Sequence, residues 1–118
     1  MKVKLTEKFA QGSAHGSPRI VADLNGQRVK LVKFRGVFDW RHHAREDELF
    51  LVHRHSMVME FRDRRVTLAP GEFLVVPRGI GHRPVAEHEV EVVIFEPVST
   101  LNTGNVRNDR AVPAPERL

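Results

Sequence analysis

The sequence lacks the residue types and segments that define several large classes of protein. It contains no cysteine in its 118 residues, which excludes disulfide bonds and thiolate metal sites. A bound metal would therefore be held by histidine, aspartate or glutamate, and these ligands suit borderline or hard divalent ions. No segment of the sequence approaches the ~20 consecutive apolar residues of a membrane span, so we expect no membrane insertion.

The chain also lacks a one-sided distribution of charge. Its net charge of +4 is spread along the sequence, as in RDRR and VRNDR, without the stripe of lysine and arginine between aromatics that nucleic-acid binding favours. The opening residues, MKVKLTEKFAQG, have no apolar core of the kind found in a secretory signal. We therefore expect a cytoplasmic protein with neither a nucleic acid nor a membrane as partner.

The length and the absence of repeats or low-complexity tracts indicate one domain over residues 1–118. Apolar periodicity is lost after FEP, and Pro97, Pro113 and Pro115 appear in the segment that follows. We therefore expect a folded core over about residues 18–100, followed by an extended C-terminal arm over 101–118 that ends in disorder.

Alternation of apolar and polar residues dominates the rest of the chain. The runs RIVADL and QRVKLVKF flank Asn25-Gly26, a dipeptide that favours a tight hairpin. Short strands at regular spacing are typical of a sandwich or barrel, so the fold class is all-β. Residues 4–10 predict a short helix, with Thr6 as its cap and Gly12 as its stop. Further strands are predicted at ELFLVH, MVMEF, RVTL, EFLVV and VEVVIFE.

Two segments carry the candidate chemistry: WRHHAREDELF, and GEFLVVPRGIGH about thirty residues later. Together they resemble the two cupin motifs. The first usually ends in His-x-His, three or four residues, and Glu; the second reads Gly, five residues, Pro-x-Gly, two residues, His. The second motif matches at every fixed position up to His82, although Ala86 replaces an asparagine that often follows. SPRIVADLNGQ, EDELFLV, HRPVAE and FEP followed by TLNTGNV are similar to small bacterial cupins labelled mannose-6-phosphate isomerase-like.

This resemblance implies an RmlC-like jelly-roll barrel (double-stranded β-helix) that holds a divalent metal. In the family the metal is held by two histidines and a glutamate of the first motif and by a histidine of the second. Aligned on EDELF, His43, Glu48 and His82 fall on three of these positions, but Arg41 stands at the first histidine. On a strand His42 points to the opposite face from residues 41 and 43, so it cannot replace the lost ligand without a one-residue slip.

The arginine at the first histidine position, Arg41, leaves three alternatives open for the occupancy of the site. In the first, His43, Glu48 and His82 hold the metal alone, a set that suits Fe(II) and also Mn, Ni or Zn. In the second, Arg41 forms a bidentate pair with Glu48 and the pocket contains no metal. In the third, metal and arginine coexist, and Arg41 binds the carboxylate or phosphate of a ligand beside the metal.

Strand alternation assigns the neighbouring side chains to the two faces. Phe50 lies inward with Glu48, so we expect Phe50 and Arg41 to contact the ligand. His53 lies outside, and His55 occupies a turn position that favours positive φ. Phe38 and Trp40, predicted to face outward, would need cover from the N-terminal strand or a second subunit, and we expect a homodimer.

Three functional hypotheses follow. The first is a cupin that binds a divalent metal and a small polar or anionic molecule, with isomerase or dioxygenase chemistry and no assignable catalytic residue. The second is a non-catalytic, metal-free binding module in which Arg41 recognises an anionic metabolite. The third is a structural or partner-binding barrel whose ancestral site has decayed.

Overall fold

The structure is a computed structural model that describes residues 1–12, 15–105 and 115–118. It contains one helix and seven strands in this part of the chain. In chain order they are α1 (Leu5–Ala10), β1 (Arg19–Leu24), β2 (Gln27–Val37), β3 (Glu48–Arg54), β4 (Met57–Phe61), β5 (Arg65–Leu68), β6 (Phe73–Val76) and β7 (His82–Pro97).

The strands form an antiparallel barrel, which confirms the predicted all-β jelly roll. Neighbouring strands follow the order β1-β2-β7-β3-β6, and β4 joins β7 on one side and β5 on the other. The predicted hairpin links β1 to β2, with φ of 51° at Asn25 and 76° at Gly26. Both central residues therefore adopt the left-handed conformation that this tight turn requires.

Strand β7 is much longer than the sequence pattern indicates. The run VEVVIFE predicts only its second half, whereas the strand begins at His82 and continues through Pro84 and a polar stretch. The first half pairs with β4, where Val85 lies opposite Val58, and with the end of β2, whereas the second half pairs with β2 and β3. This strand passes from one side of the barrel to the other. The alternation of buried and exposed side chains therefore changes along its length.

The barrel interior is filled by apolar side chains from both sides. A second apolar cluster lies outside the sheet, where Phe9 of α1 packs with Val21, Leu31 and Val93. Helix α1 therefore covers the outer face of β1, β2 and β7. The interior cluster includes Val32, Phe34, Phe50, Val52, Met57, Met59, Val76, Val90, Val92 and Ile94.

The predicted cap of the helix is wrong. The residue that caps α1 is Lys4, which has extended backbone angles and makes no side-chain cap hydrogen bond. The helix ends at Ala10 with Gln11 as its C-cap, one residue before the predicted stop. Packing of Phe9 replaces capping as the stabilising contact, as expected for so short a helix.

The C-terminal arm ends differently from the prediction. Ile20 donates a backbone hydrogen bond to Glu116, and Leu118 donates one back to Ile20, both at 2.8 Å. Leu118 also packs on the outer apolar cluster. The predicted disorder is therefore wrong for residues 115–118, while residues 106–114 lie outside the described part of the chain. Within the described residues, no helix has the length and apolar character needed to cross a membrane.

Candidate metal centre

Three residues from the two motifs converge inside one end of the barrel. His43 lies in the connection before β3, Glu48 is the first residue of β3 and His82 is the first residue of β7. One nitrogen or oxygen atom from each side chain lies within 4.8 Å of the other two. Glu48 Oε1 is 3.1 Å from His43 Nε2 and 3.6 Å from His82 Nε2, and all three residues are buried.

Backbone hydrogen bonds fix these residues relative to one another. Arg41 and His82 exchange a pair of backbone hydrogen bonds of 2.9 and 2.8 Å. Gly79 donates its N–H to the His43 carbonyl at 2.7 Å, and its φ of 79° favours glycine at this turn. The Pro-x-Gly turn of the second motif therefore ties the two motifs together.

The hydrogen-bond pattern leaves metal-binding atoms free at the centre. His82 Nδ1 lies 2.9 Å from the Ile80 carbonyl, which can only accept, so Nδ1 carries the proton. The Nε2 lone pair of His82 then points inward. In the described part of the chain, Nε2 of His43, Nε2 of His82 and Oε1 of Glu48 are buried without hydrogen-bond partners. A cation would satisfy all three atoms, and this arrangement is the one expected of ligands.

Glu48 is ionised despite its burial. Burial alone would raise the pKa of this carboxyl, but its interactions with the neighbouring side chains of Glu96, His43 and His82 outweigh that effect and hold the pKa well below its usual value. The carboxylate is therefore in the form that binds a metal. The residues of this centre fit a divalent ion.

A buried ion pair that the sequence does not predict adjoins the centre. Lys30 of β2 and Glu96 of β7 lie 2.9 Å apart, and each side chain is 1% exposed. Burial and the neighbouring negative charge of Glu48 raise the pKa of Glu96 well above its usual value. Strand alternation contains a weak signal for both residues, because Lys30 shares a face with core Val32 and Glu96 shares one with core Ile94.

A cavity opens next to the centre. Its empty space, counted out into the solvent at its mouth, is about 470 Å³. Phe50 and Arg41, the two predicted ligand contacts, both line it. Apolar side chains form most of the wall, and the polar groups are Arg41, Glu48, Glu96 and Asn102.

Phe38 does not face outward as predicted. Its ring packs edge to face on Phe34, 5.1 Å between centroids, and it lines the cavity. Trp40 is covered by two side chains of its own chain, because the guanidinium carbons of Arg62 and Arg83 lie 3.7 and 5.0 Å from its ring centroid. Cation–π contacts thus replace the subunit cover that the sequence suggested.

Arg41 is oriented toward the C-terminal part of the chain. Its guanidinium donates hydrogen bonds to the backbone carbonyls of Asn102 and Asp39. Glu48 instead contacts His43, His82 and Glu96. Among the described residues no ion pair joins Arg41 to Glu48, so the geometry does not support the bidentate pair of the second alternative.

Residues 99–105, named the strap here, close over this end of the barrel. Asn105 exchanges two hydrogen bonds with the His42 backbone, of 3.0 and 2.9 Å. A Cβ atom at Gly104 would lie 2.5 Å from the His42 carbonyl oxygen, so only glycine allows this approach. Ser99 donates to Glu46 at 2.8 Å. The strap therefore fixes the backbone next to His43.

The other His-x-His pair takes no part in the centre. His53 lies on the outside, as predicted, where it stacks on Phe9 and lies 3.0 Å from Glu91. His55 is exposed and has the predicted positive φ, 66°. Neither side chain approaches the cluster of His43, Glu48 and His82.

An antiparallel jelly roll with a His/Glu cluster inside one end of the barrel defines a small cupin-type protein. The sequence agrees, because the family model for the cupin domain matches residues 24–98. The chain therefore belongs to the cupin domain family.

Individual proteins similar to this chain support the same assignment. The uncharacterized protein YdbB of Bacillus subtilis (strain 168) is 34% identical over 87 residues, covering 64% of this chain and 77% of the relative. A cupin-2 domain containing protein from Shewanella frigidimarina is 40% identical, with a TM-score of 0.79 over 80% of this chain and 93% of that one. Protein NMB1881 of Neisseria meningitidis is 28% identical, with a TM-score of 0.76 over 82% and 99%.

Proposed function

We propose that this protein binds a divalent metal ion through His43, Glu48 and His82 and holds a small anionic molecule in the adjoining cavity. One observation carries the proposal: three buried ligand atoms within 4.8 Å of one another have no hydrogen-bond partner among the described residues. Leaving such a set unsatisfied costs about 1–3 kcal/mol per group, and a bound cation removes that cost.

The donor set selects among metals. Two imidazoles and one carboxylate suit Fe, Mn, Ni or Zn and leave coordination positions open. When bound, such a metal supplies Lewis-acid or oxygen-activating chemistry, which is the basis for proposing an isomerase or a dioxygenase. The residues of the chain bind and orient the ligand. Arg41 places its positive charge beside the anionic group, and Phe50 and Phe34 exclude water from the cavity.

The third alternative for Arg41 agrees best with these contacts. The guanidinium lines the cavity and is directed to backbone carbonyls rather than to Glu48. A planar guanidinium beside a metal is suited to a carboxylate or phosphate that also reaches the metal. We therefore propose a small carboxylate or phosphate compound as the ligand class.

Replacing Arg41 with histidine should raise the affinity for Zn²⁺ or Co²⁺ by at least about tenfold, because it adds an imidazole at the missing ligand position and removes a nearby cation. The affinity is measured by calorimetric titration of metal-stripped protein. Arg45→His, which adds a histidine at an exposed position, is the control and should leave the affinity unchanged. An unaltered affinity in Arg41→His would show that residue 41 does not face the metal position.

A metal-free binding module is the second candidate, favoured by the presence of Arg41 on the cavity wall. The two candidates differ in how ligand binding responds to a chelator. A panel of small carboxylates and phosphates is tested for thermal stabilisation with and without a chelator. Under the main proposal stabilisation requires metal, whereas under the second it persists in the chelator and is lost in Arg41→Met.

The homodimer stays a prediction. An exposed apolar surface on β6, and not Trp40, now supports it. On β6, Phe73 and Val75 are 59% and 50% exposed, and they lie opposite half-buried Leu51 and Leu49 of β3. Apolar patches of this kind are typical of interfaces. We expect light scattering to give a dimer for the native chain and a monomer for Phe73→Lys. A native chain that is monomeric at micromolar concentration would contradict the prediction.

A further inference from the structure

Glu96, on the wall of the cavity, uses only one of its two carboxyl oxygens within the described part of the chain. Its Oε1 lies 2.9 Å from Lys30 Nζ, and its side chain is 1% exposed. Oε2 is also buried, and it has no hydrogen-bond partner among the described residues. The proposed metal does not account for this oxygen, because the convergent ligand atoms come from His43, Glu48 and His82. A buried polar atom in this situation calls for a partner from outside the chain.

Lys30 holds the carboxyl group of Glu96 in place. Its Nζ also donates to the carbonyl of Thr100 in the strap, at 3.2 Å, so the ammonium group is fixed from two sides. Whichever oxygen of Glu96 pairs with Lys30, the other one remains to be satisfied. Stability alone does not explain such a pair, because replacing a buried ion pair by apolar residues of similar volume is often neutral or stabilising.

The cavity contains a second charged group besides this carboxyl. Arg41 and Glu96 both line it, and much of the remaining wall is apolar, including Phe34, Phe50 and Ile94. In small-molecule sites of this kind a few polar groups on an apolar wall fix the orientation of the ligand and select among ligands. A molecule with an anionic group for Arg41 and a hydrogen-bonding group for Glu96 would satisfy both.

We propose that Oε2 of Glu96 binds a hydroxyl group of the ligand, which makes the ligand a small hydroxylated carboxylate or phosphate. The inference rests on the proposed function, which assigns the anionic group to Arg41. A hydroxyl can donate to a carboxylate oxygen and accept from a carboxylic acid, so the match holds for either form of Glu96. A site that hydrogen-bonds a ligand hydroxyl discriminates against the analogue without it, because the buried group of the site is then left unpaired.

The test compares probes that differ by the hydroxyl groups alone: lactate with propionate, and glycerol phosphate with propyl phosphate. Each is titrated calorimetrically into the native chain with Zn²⁺ present. The hydroxylated probe should bind more tightly by about tenfold or more in at least one pair, since one hydrogen bond to a buried carboxyl is gained. The pair that shows this preference identifies the anionic group as a carboxylate or a phosphate.

Two double variants show whether the preference comes from Glu96. Lys30→Met/Glu96→Leu removes Oε2 together with the opposite charge of its partner, and it should bind both members of a pair equally. A purely structural role of the ion pair would weaken both members and leave the preference intact, as would chelation of the metal by the hydroxyl. His53→Phe/Glu91→Leu removes the 3.0 Å pair on the outer face of the same strand and should keep the native preference.

The outcomes separate this inference from the proposed function. If the native chain binds no member of either pair, anion binding in the cavity fails and the hydroxyl contact fails with it. If the native chain binds both members of each pair equally, only the hydroxyl contact is wrong, and water or a neighbouring side chain satisfies Oε2. A preference that persists in Lys30→Met/Glu96→Leu, or that is lost in both double variants, would also overturn it. Thermal unfolding shows whether each variant is folded, and Glu96→Met replaces the first double variant if that one does not fold.

Discussion

Lys30→Met is expected to lower the free energy of unfolding by about 3–5 kcal/mol at neutral pH, the usual loss when one partner of a buried ion pair is removed. The variant leaves Glu96 and Glu48 buried together without the lysine that offsets their charge. Much of the stability of a domain of this size would be lost, since the total is only about 5–15 kcal/mol. Chemical denaturation of the metal-free protein measures the change.

The loss of unfolding free energy in Lys30→Met should depend on pH. The pKa of Glu96 is already raised by burial and by the charge of Glu48, and removing Lys30 raises it further. An acid with a raised pKa in the folded state stabilises the fold below that pKa and loses this contribution as the pH rises. The destabilisation of Lys30→Met should therefore shrink as the pH is lowered.

Lys33→Met is the matched control for this variant. Lys33 lies on the same strand and is half-buried on the opposite face, away from Glu96. It should change the free energy of unfolding by less than about 1 kcal/mol. Equal losses in the two lysine variants would show that the buried pair has no special electrostatic role.

His82→Ala should reduce the affinity for a divalent metal by more than about 100-fold, because losing a ligand costs more than losing a residue that supports one. His53→Ala is the matched control, since His53 lies outside the barrel, and it should bind metal as the native chain does. Calorimetric titration of metal-stripped protein measures both affinities. Native-like binding by His82→Ala would remove this residue from the site.

Metal binding should also weaken as the pH falls. The ligand nitrogens of His43 and His82 must be unprotonated to bind a metal, so protons compete with the ion for these atoms. Glu48 contributes little to this dependence, because its neighbouring side chains hold its pKa below the usual value. An affinity that does not fall as the pH is lowered would argue against histidine ligands.

The barrel and the three convergent residues could be predicted because both leave regular patterns. Alternation marks most of the strands, and the Pro-x-Gly turn brings His82 to the same end of the barrel as His43 and Glu48. Phe38 was wrongly predicted to face outward because β2 ends at Val37. Strand alternation holds only within a strand, so it does not determine the orientation of the residues that follow.

Tertiary contacts account for the features that the sequence did not predict. Lys30 appears as an ordinary polar position of an alternating strand, and only the barrel shows that it pairs with Glu96, 66 residues further along the chain. The strap has no periodicity, yet Asn105 and Asn102 are held by hydrogen bonds with His42 and Arg41. The conformation of the strap depends on its contacts with the segment around Arg41 and His42, so the sequence of the strap itself contains no pattern that predicts it.

The central claim is that His43, Glu48 and His82 form a divalent metal site, and a calorimetric titration of the metal-stripped native chain tests it most directly. Co²⁺ and Zn²⁺ are added separately, with thermal unfolding recorded at each ratio. We predict one ion per chain and a rise in the unfolding temperature with increasing metal. No heat of binding and no shift in unfolding temperature at a large excess of metal would contradict the claim.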